Sequence, residues 1–194
     1  GFLSPFEPID AIESLDAAAQ GKLATVERMR LQVAYKPVEG DPVALSALND
    51  VVISQGAMAR LVELQAHLNG EFINSYRADG LVVCTPTGST AYNLAAGGPI
   101  MYPGLHSLAI TPICAQGLTN RPLVVPGDGE VVISMSGESQ GVVLTIDGQW
   151  AHTFQTGDRV VITKSEAPAV VYTSDSDYFN ILRAKLHWGV GPVG

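Results

Sequence analysis

Residues 79–98 read DGLVVCTPTGSTAYNLAAGG, and the fold turns on how this stretch is parsed. Leu81-Val82-Val83-Cys84 is a strand-like apolar run that stops at Thr85-Pro86 and passes into Thr87-Gly88-Ser89-Thr90 and a few helix-forming residues. A strand-to-helix junction of this kind places backbone N–H groups and hydroxyls at a helix mouth, where an anion or the polar edge of a nucleotide can bind. Thr85, Thr87, Ser89 and Thr90 crowd that entry, and Gly88 lets the backbone approach closely. Capping requires only one of them, so the surplus hydroxyls point to a binding loop. Gly97-Gly98-Pro99 ends the helix after a short run. Tyr92 falls in its first turn, either stacked on a ligand ring or packed as a core aromatic.

On the C-terminal side the sequence is β in character. Residues 123–125, 131–135, 142–146 and 159–163 are β-branched runs, parted by turn residues at 126–129, 137–141, 147–148 and 157–158. Such spacing predicts a mainly β chain, a sandwich-like set of layered sheets dominated by antiparallel pairing, with a few short helices. On the N-terminal side, residues 4–21 carry Ile9, Ile12 and Leu15 at helical spacing, with Gly21 as a stop. Residues 24–38, 47–53 and 60–68 read as strands, and 178–186 as a C-terminal helix followed by a frayed tail. The expected organisation is a helical segment over 1–21, a β-rich ligand-binding domain over 22–175, and a helical segment with tail over 176–194.

Composition narrows the function. The 194 residues are 46% hydrophobic and 15% charged with a net charge of −8, which fits a globular core and opposes a broad basic face for nucleic acid. Cys84 and Cys114 are the two cysteines. They form no CxxC pair, and a reduced, cytoplasmic setting follows. No segment has the roughly 18 consecutive apolar residues of a membrane helix. There is no GxxxxGK[ST], no GxGxxG follows a strand, and His67, His106, His152 and His187 lack metal-ligand spacing, so no metal site is expected. Asp128, in Gly-Asp-Gly between two β runs, reads as a hairpin turn.

Two further places offer ligand chemistry. Asn49-Asp50 precedes the apolar run Val51-Val52-Ile53, and two adjacent side chains at a strand start serve either as a ligand clamp or as an ordinary turn and cap. Asn offers donor and acceptor to a base edge or ribose hydroxyl, whereas a carboxylate only accepts. Asp79 either accepts from a ligand or ends the turn before its strand.

Taken together, Leu48-Asn49-Asp50-Val51-Val52-Ile53, Ala78-Asp79-Gly80-Leu81, Thr85-Pro86-Thr87-Gly88-Ser89-Thr90-Ala91-Tyr92, Ala96-Gly97-Gly98-Pro99 and Asp147-Gly148-Gln149 closely resemble the ATP-NAD kinase family. The resemblance runs from the Gly-Phe-Leu opening to Phe179-Asn180. It implies phosphorylation of the 2′-hydroxyl of the adenosine ribose of NAD to give NADP, with ATP or polyphosphate as donor and Mg²⁺ or another divalent cation. Asn49 and Asp50 match the Asn-acidic pair that holds ribose and adenine, with Asp here where many members have Glu. Asp79 matches a carboxylate at the nicotinamide end. Thr87, Ser89, Thr90, Ala91 and Tyr92 match the segment lining the dinucleotide site. The family's Gly-Gly-Asp-Gly motif, which carries the proposed base, is not in this sequence. It belongs to an N-terminal α/β domain, so the catalytic residues are expected upstream of residue 1. The chain then corresponds to the C-terminal, NAD-binding domain of a two-domain fold, assembled as a homodimer or homotetramer. Two alternatives are a non-catalytic NAD(P)-binding or oligomerisation module and a related lipid-type kinase.

Overall fold

The computed structural model describes residues 9, 11–56, 61–117, 119–137, 140–173 and 178–186. The first eight residues of the expected N-terminal helix, the turn after Gly56 and the tail from 187 lie outside them. By its contacts the chain divides into one unit of residues 1–28 with 169–194 and a second of residues 29–168.

In the first unit, α1 (Ala11–Ala19) ends where expected. Gly21 takes φ +66, and the Gly21 and Lys22 amides donate back to Ala18 O and Ala17 O, closing the last turn in a left-handed conformation open to glycine. Strands β1 (Thr25–Arg28) and β14 (Ala169–Tyr172) pair antiparallel, and α3 (Tyr178–Leu186) buries Leu182.

The second unit is a two-layer sandwich in which every strand pairing is antiparallel. One sheet orders β3 (Val43–Ala47), β2 (Leu31–Lys36), β13 (Arg159–Lys164), β10 (Val131–Ser136), β5 (Val62–Leu68) and β6 (Glu71–Ala78). The other orders β12 (Trp150–Thr153), β11 (Val142–Ile146), β4 (Asp50–Gln55), β7 (Gly80–Cys84), β8 (Ser107–Ile113) and β9 (Leu123–Pro126). Alternate residues meet between the sheets: Leu31, Val33 and Tyr35 from β2 and Val131 and Ile133 from β10 face Val51, Ile53, Leu81, Val83 and Leu144. Burying each such aliphatic side chain contributes about 1.5–3 kcal/mol.

The layered, antiparallel, mainly β architecture is as expected, and three local expectations change. Residues 24–38 are two strands, because β1 pairs with β14 while β2 pairs with β13 and β3; an uninterrupted alternation cannot reveal a change of partner. Residues 47–53 are likewise divided, with Leu48 and Asn49 forming a turn between β3 and β4. Asp128 lies between β9 and β10, which belong to different sheets, so its turn is a crossover rather than a hairpin.

The second sheet is buried on both faces at its centre. All five residues of β7 are buried, as are the first four of β4. Val51 and Ile53 point into the sandwich, while Val52, with Val82, Cys84 and Ala109, packs against Met101 and Ala96. The segment after β7 therefore folds back over the outer face of its own sheet. A 3₁₀ turn (Gly88–Thr90) and the single-turn α2 (Tyr92–Ala95) lie in that segment, and a groove is left beside them over β4 and β11.

Candidate functional site

The loop after β7 is built from its own hydroxyls. Thr85 Oγ1 donates to Leu48 O at 2.6 Å and accepts from the Gly88 amide at 3.1 Å. Ser89 is fully buried; its hydroxyl donates to Pro86 O at 2.6 Å and accepts from the Met101 amide at 3.0 Å. Thr90 Oγ1 donates to Thr87 O at 3.3 Å. Neither the 3₁₀ turn nor α2 has a side-chain cap. The expectation of a hydroxyl-lined helix mouth is thus corrected: the cap position of α2 falls on Ala91, which has no hydroxyl, and the hydroxyls of Thr85, Ser89 and Thr90 bond to backbone carbonyls. Among the described residues, Thr87 Oγ1 is the buried side-chain polar atom with no hydrogen-bond partner.

This loop rests directly on the Leu48–Asn49 turn. Besides the Thr85 contact, the Thr85 amide donates to Asn49 O at 2.9 Å. A Cβ on Gly88 would lie 2.1 Å from Asn49 O, so the close approach requires glycine. Behind the loop, Asn93 is buried. Its Nδ2 donates to Ser89 O at 3.1 Å and Pro99 O at 3.0 Å, and its Oδ1 accepts from Thr111 Oγ1 at 2.6 Å.

The third support comes from the β11–β12 turn. Asp147 and Gly148 both take positive φ, +50 and +64, the conformation in which Asp-Gly or Asn-Gly closes tight hairpins. In this position the Asp147 carboxylate accepts from three successive amides, with Oδ2 to Leu48 N at 2.7 Å and Oδ1 to Asn49 N at 2.8 Å and Asp50 N at 2.9 Å.

The result is a groove of about 380 Å³ bounded by Asn49, Asp50, Ala91 and Tyr92, with Asp147 and Gly148 at one end and Val52, Ser54 and Thr145 along its floor. Asn49 and Asp50 flank the same groove, instead of opposing faces of a strand, because Asn49 sits in the turn and Asp50 begins β4. Tyr92 is 46% exposed and so has ring surface open to a ligand. Asp79 lies elsewhere: it is exposed at the bend between β6 and β7, and Asp50 pairs with Cys84 at the opposite end of β7. Five residues of extended strand separate the two ends by about 17 Å.

Asp50 is buried, at 5% exposure. Burial, reinforced by the neighbouring Asp147 charge, pushes its carboxyl from 3.8 up to about 6. Burial and the Asp50 charge together push the Cys84 thiol up to about 12, leaving it a neutral packing group. Because the folded-state value of Asp50 exceeds its unfolded one, the associated stability is present below pH 4 and lost as pH rises through 6. Asp50→Asn is accordingly expected to stabilise the fold by about 2 kcal/mol at pH 7.5 and by nothing at pH 4, read by urea unfolding at both pH values. Equal effects at the two pH values would contradict the raised carboxyl.

Asp147 as the anchor of the site was missed at the sequence level. Its Asp-Gly pair was legible as a turn, but nothing in the sequence connects residue 147 with residues 48–50.

Comparisons with known proteins identify the family and the fold. A sequence profile of the ATP-NAD kinase C-terminal domain matches residues 48–174, which include every residue of the groove. The chain is 40% identical over 190 residues to the NAD kinase of Geotalea daltonii, covering 97% of this chain and 67% of that protein. It is 40% identical over 189 residues to the NAD kinase of Magnetococcus marinus, covering 97% and 62%. The chain thus spans about two thirds of the length of these relatives. Among solved structures, yeast NADH kinase complexed with NADH superposes with a TM-score of 0.89 at 28% identity, over 98% of this chain and 57% of that one. An NAD kinase from Archaeoglobus fulgidus in complex with ATP has a TM-score of 0.78 at 24% identity, over 94% and 68%, and shares the fold.

Proposed function

Because this chain belongs to the ATP-NAD kinase family, we propose that it supplies the dinucleotide-binding part of an enzyme that phosphorylates the 2′-hydroxyl of the adenosine ribose of NAD, giving NADP. The observation that carries this reading is the convergence of Asn49, Asp50 and Tyr92 on one groove. The ribose hydroxyls donate to the Asp50 carboxylate, Asn49 offers both hydrogen-bond senses to a base or ribose edge, and the Tyr92 ring lies against a ring of the ligand. Ala91 and Thr90 shape the wall beside Tyr92, Thr87 brings its unpartnered hydroxyl, and Ser89 acts from behind by holding the loop. No basic side chain lines the groove among the described residues, which suits the neutral nucleoside rather than the pyrophosphate.

ATP is the donor in this reading, with polyphosphate as the alternative. A divalent cation supplies charge neutralisation at the transferring phosphate when bound. The groove itself does not fit one: both Asp147 oxygens already accept from backbone amides, and no cluster of three metal-ligating side chains occurs among the described residues. What this chain contributes to phosphoryl transfer is positioning of the acceptor hydroxyl. Asp79 is assigned to the nicotinamide end. Its distance from Asp50 favours a site completed by a second copy in a homodimer or homotetramer. The setting is cytoplasmic; no described helix is long and apolar enough to cross a membrane.

The test is NADP formation from NAD, ATP and Mg²⁺ by the full-length protein, together with NAD binding by calorimetry. Tyr92→Ala is expected to weaken NAD binding by about 1 kcal/mol more than Tyr92→Phe, because stacking needs the ring and not the hydroxyl. Equal losses would assign the contact to the hydroxyl, and no NAD binding by the folded wild-type protein would overturn the reading.

A further inference from the structure

We propose that Asp147 is a positioning residue for the dinucleotide site: its carboxylate sets the conformation of the Leu48–Asp50 turn and so fixes where Asn49 and Asp50 meet the ligand. The proposal rests on the function proposed above for the groove. Three observations carry it.

First, one carboxylate gathers three consecutive amides at 2.7–2.9 Å. Those amides belong to the two residues that flank the groove and the one before them. Hydrogen bonds to a charged acceptor are shorter and stronger than neutral ones, and three convergent ones leave the turn little freedom. Second, the bonds cross from one hairpin to a distant part of the chain, between residues 147 and 48–50, and the Asp147 amide in turn donates to Asp50 O at 3.0 Å. The two segments are therefore locked in both directions. Third, Asp147 occupies a left-handed backbone position, φ +50, followed by Gly148 at +64. A residue other than glycine at such a φ is uncommon, and Asn and Asp are the side chains that tolerate it best.

This last point makes the carboxylate separable from the turn. Asp147→Asn keeps the hairpin, since Asn-Gly suits the same conformation, and keeps an acceptor for the Asn49 and Asp50 amides. It replaces Oδ2 with an NH₂ that faces the Leu48 amide, donor against donor, and it removes the charge. The titratable groups facing Asp50 are Asp147 from this turn, Cys84 from β7 and Tyr92 across the groove. Cys84 stays neutral, so Asp147 is the charged neighbour that helps hold the Asp50 carboxyl up. Removing that charge lowers the Asp50 titration, whereas a residue that merely stabilised the fold would leave the NAD affinity of the folded variant unchanged.

The experiment compares wild type and Asp147→Asn in the full-length protein, with NAD as the probe. NAD affinity is expected to fall about tenfold in the variant. In wild type, affinity is lost as pH drops through about 6 and Asp50 takes up a proton; in Asp147→Asn that midpoint moves to lower pH. Carboxyl titration of Asp50 by NMR reads the same shift with no ligand present. A folded variant with affinity within twofold of wild type and an unmoved Asp50 titration would overturn the proposal. Wild-type protein that binds no NAD would overturn the function proposed for the groove, while exchange protection of the Leu48, Asn49 and Asp50 amides would still decide the role of Asp147. If the variant does not fold, amide exchange in wild type decides. The Leu48, Asn49 and Asp50 amides, which share one carboxylate, are expected to be protected together, and independent behaviour of the three would refute a shared anchor.

Discussion

Gly88→Ala is expected to lower stability by about 3 kcal/mol and to weaken NAD binding at least about tenfold, the larger end of what one overpacked methyl costs. The added Cβ would lie 2.1 Å from Asn49 O, 2.5 Å from Asn49 C and 2.7 Å from Asn49 Cα. All three are backbone atoms, so no side-chain rotation relieves the clash. Either the loop after β7 lifts away, breaking the Thr85 bonds to Leu48 O and Asn49 O, or the Leu48–Asp50 turn moves against the three amide bonds to Asp147. Both routes displace Asn49 and Asp50 relative to Tyr92. Urea unfolding and NAD calorimetry on the same preparation check the expectation. An alanine variant within about 0.5 kcal/mol of wild type and with unchanged affinity would show that loop and turn are not coupled.

Asn93→Asp is the second large effect, an isosteric change expected to cost about 3–5 kcal/mol at pH 7.5. Asn93 is fully buried, and its Nδ2 donates to Ser89 O and Pro99 O. Aspartate directs an oxygen at both carbonyls and brings a charge that no basic group faces in the hydrogen bonds described. Burial raises the new carboxyl above its unfolded value, so its protonated form is the one the fold tolerates. The destabilisation relative to wild type is therefore least near pH 4, where the protonated carboxyl can still donate to only one of the two carbonyls, and grows as pH rises through the folded-state value. Unfolding measured at both pH values tests this. A cost independent of pH would mean that the penalty is not electrostatic.

These two residues show what the sequence could and could not reveal. Strands such as Val131–Ser136 and Val142–Ile146 alternate buried and half-buried residues, and that period is visible in one dimension. The run 80–84 is buried on both faces, so it appears as a continuous apolar stretch without a face. Strand Ser107–Ile113 carries Pro112, a residue that in sequence argues against a central strand. In the sheet, Pro112 pairs with Leu81 on one side and lies beyond the reach of β9, which spans partners of 107–110, and the missing amide is tolerated there. The hairpin at Asn69-Gly70, with φ +51 and +81, carried a turn signal that could have placed the boundary between β5 and β6.

The site was legible as a set of residue types and less so as geometry. Asn49, Asp50, Ala91 and Tyr92 do come together. The hydroxyls of Thr85, Ser89 and Thr90 were read as facing a ligand, yet those of Ser89 and Thr90 donate within the loop and that of Thr85 to Leu48 O, because a chain that folds back over its own sheet has many carbonyls to satisfy. Asp79 was grouped with Asp50 by motif, while the strand between them holds the two at opposite ends. Asp147 connects to its partners only through the pairing of β11 with β4, a long-range fact that no local window contains.

The most direct measurement of the central claim is a crystal structure of the full-length protein with NAD bound. The account predicts the adenosine ribose hydroxyls within hydrogen-bond distance of the Asp50 carboxyl, a ligand ring against Tyr92, and the Leu48–Asp50 turn still held by Asp147. A dinucleotide bound away from an open Asn49–Asp50–Tyr92 groove would contradict it.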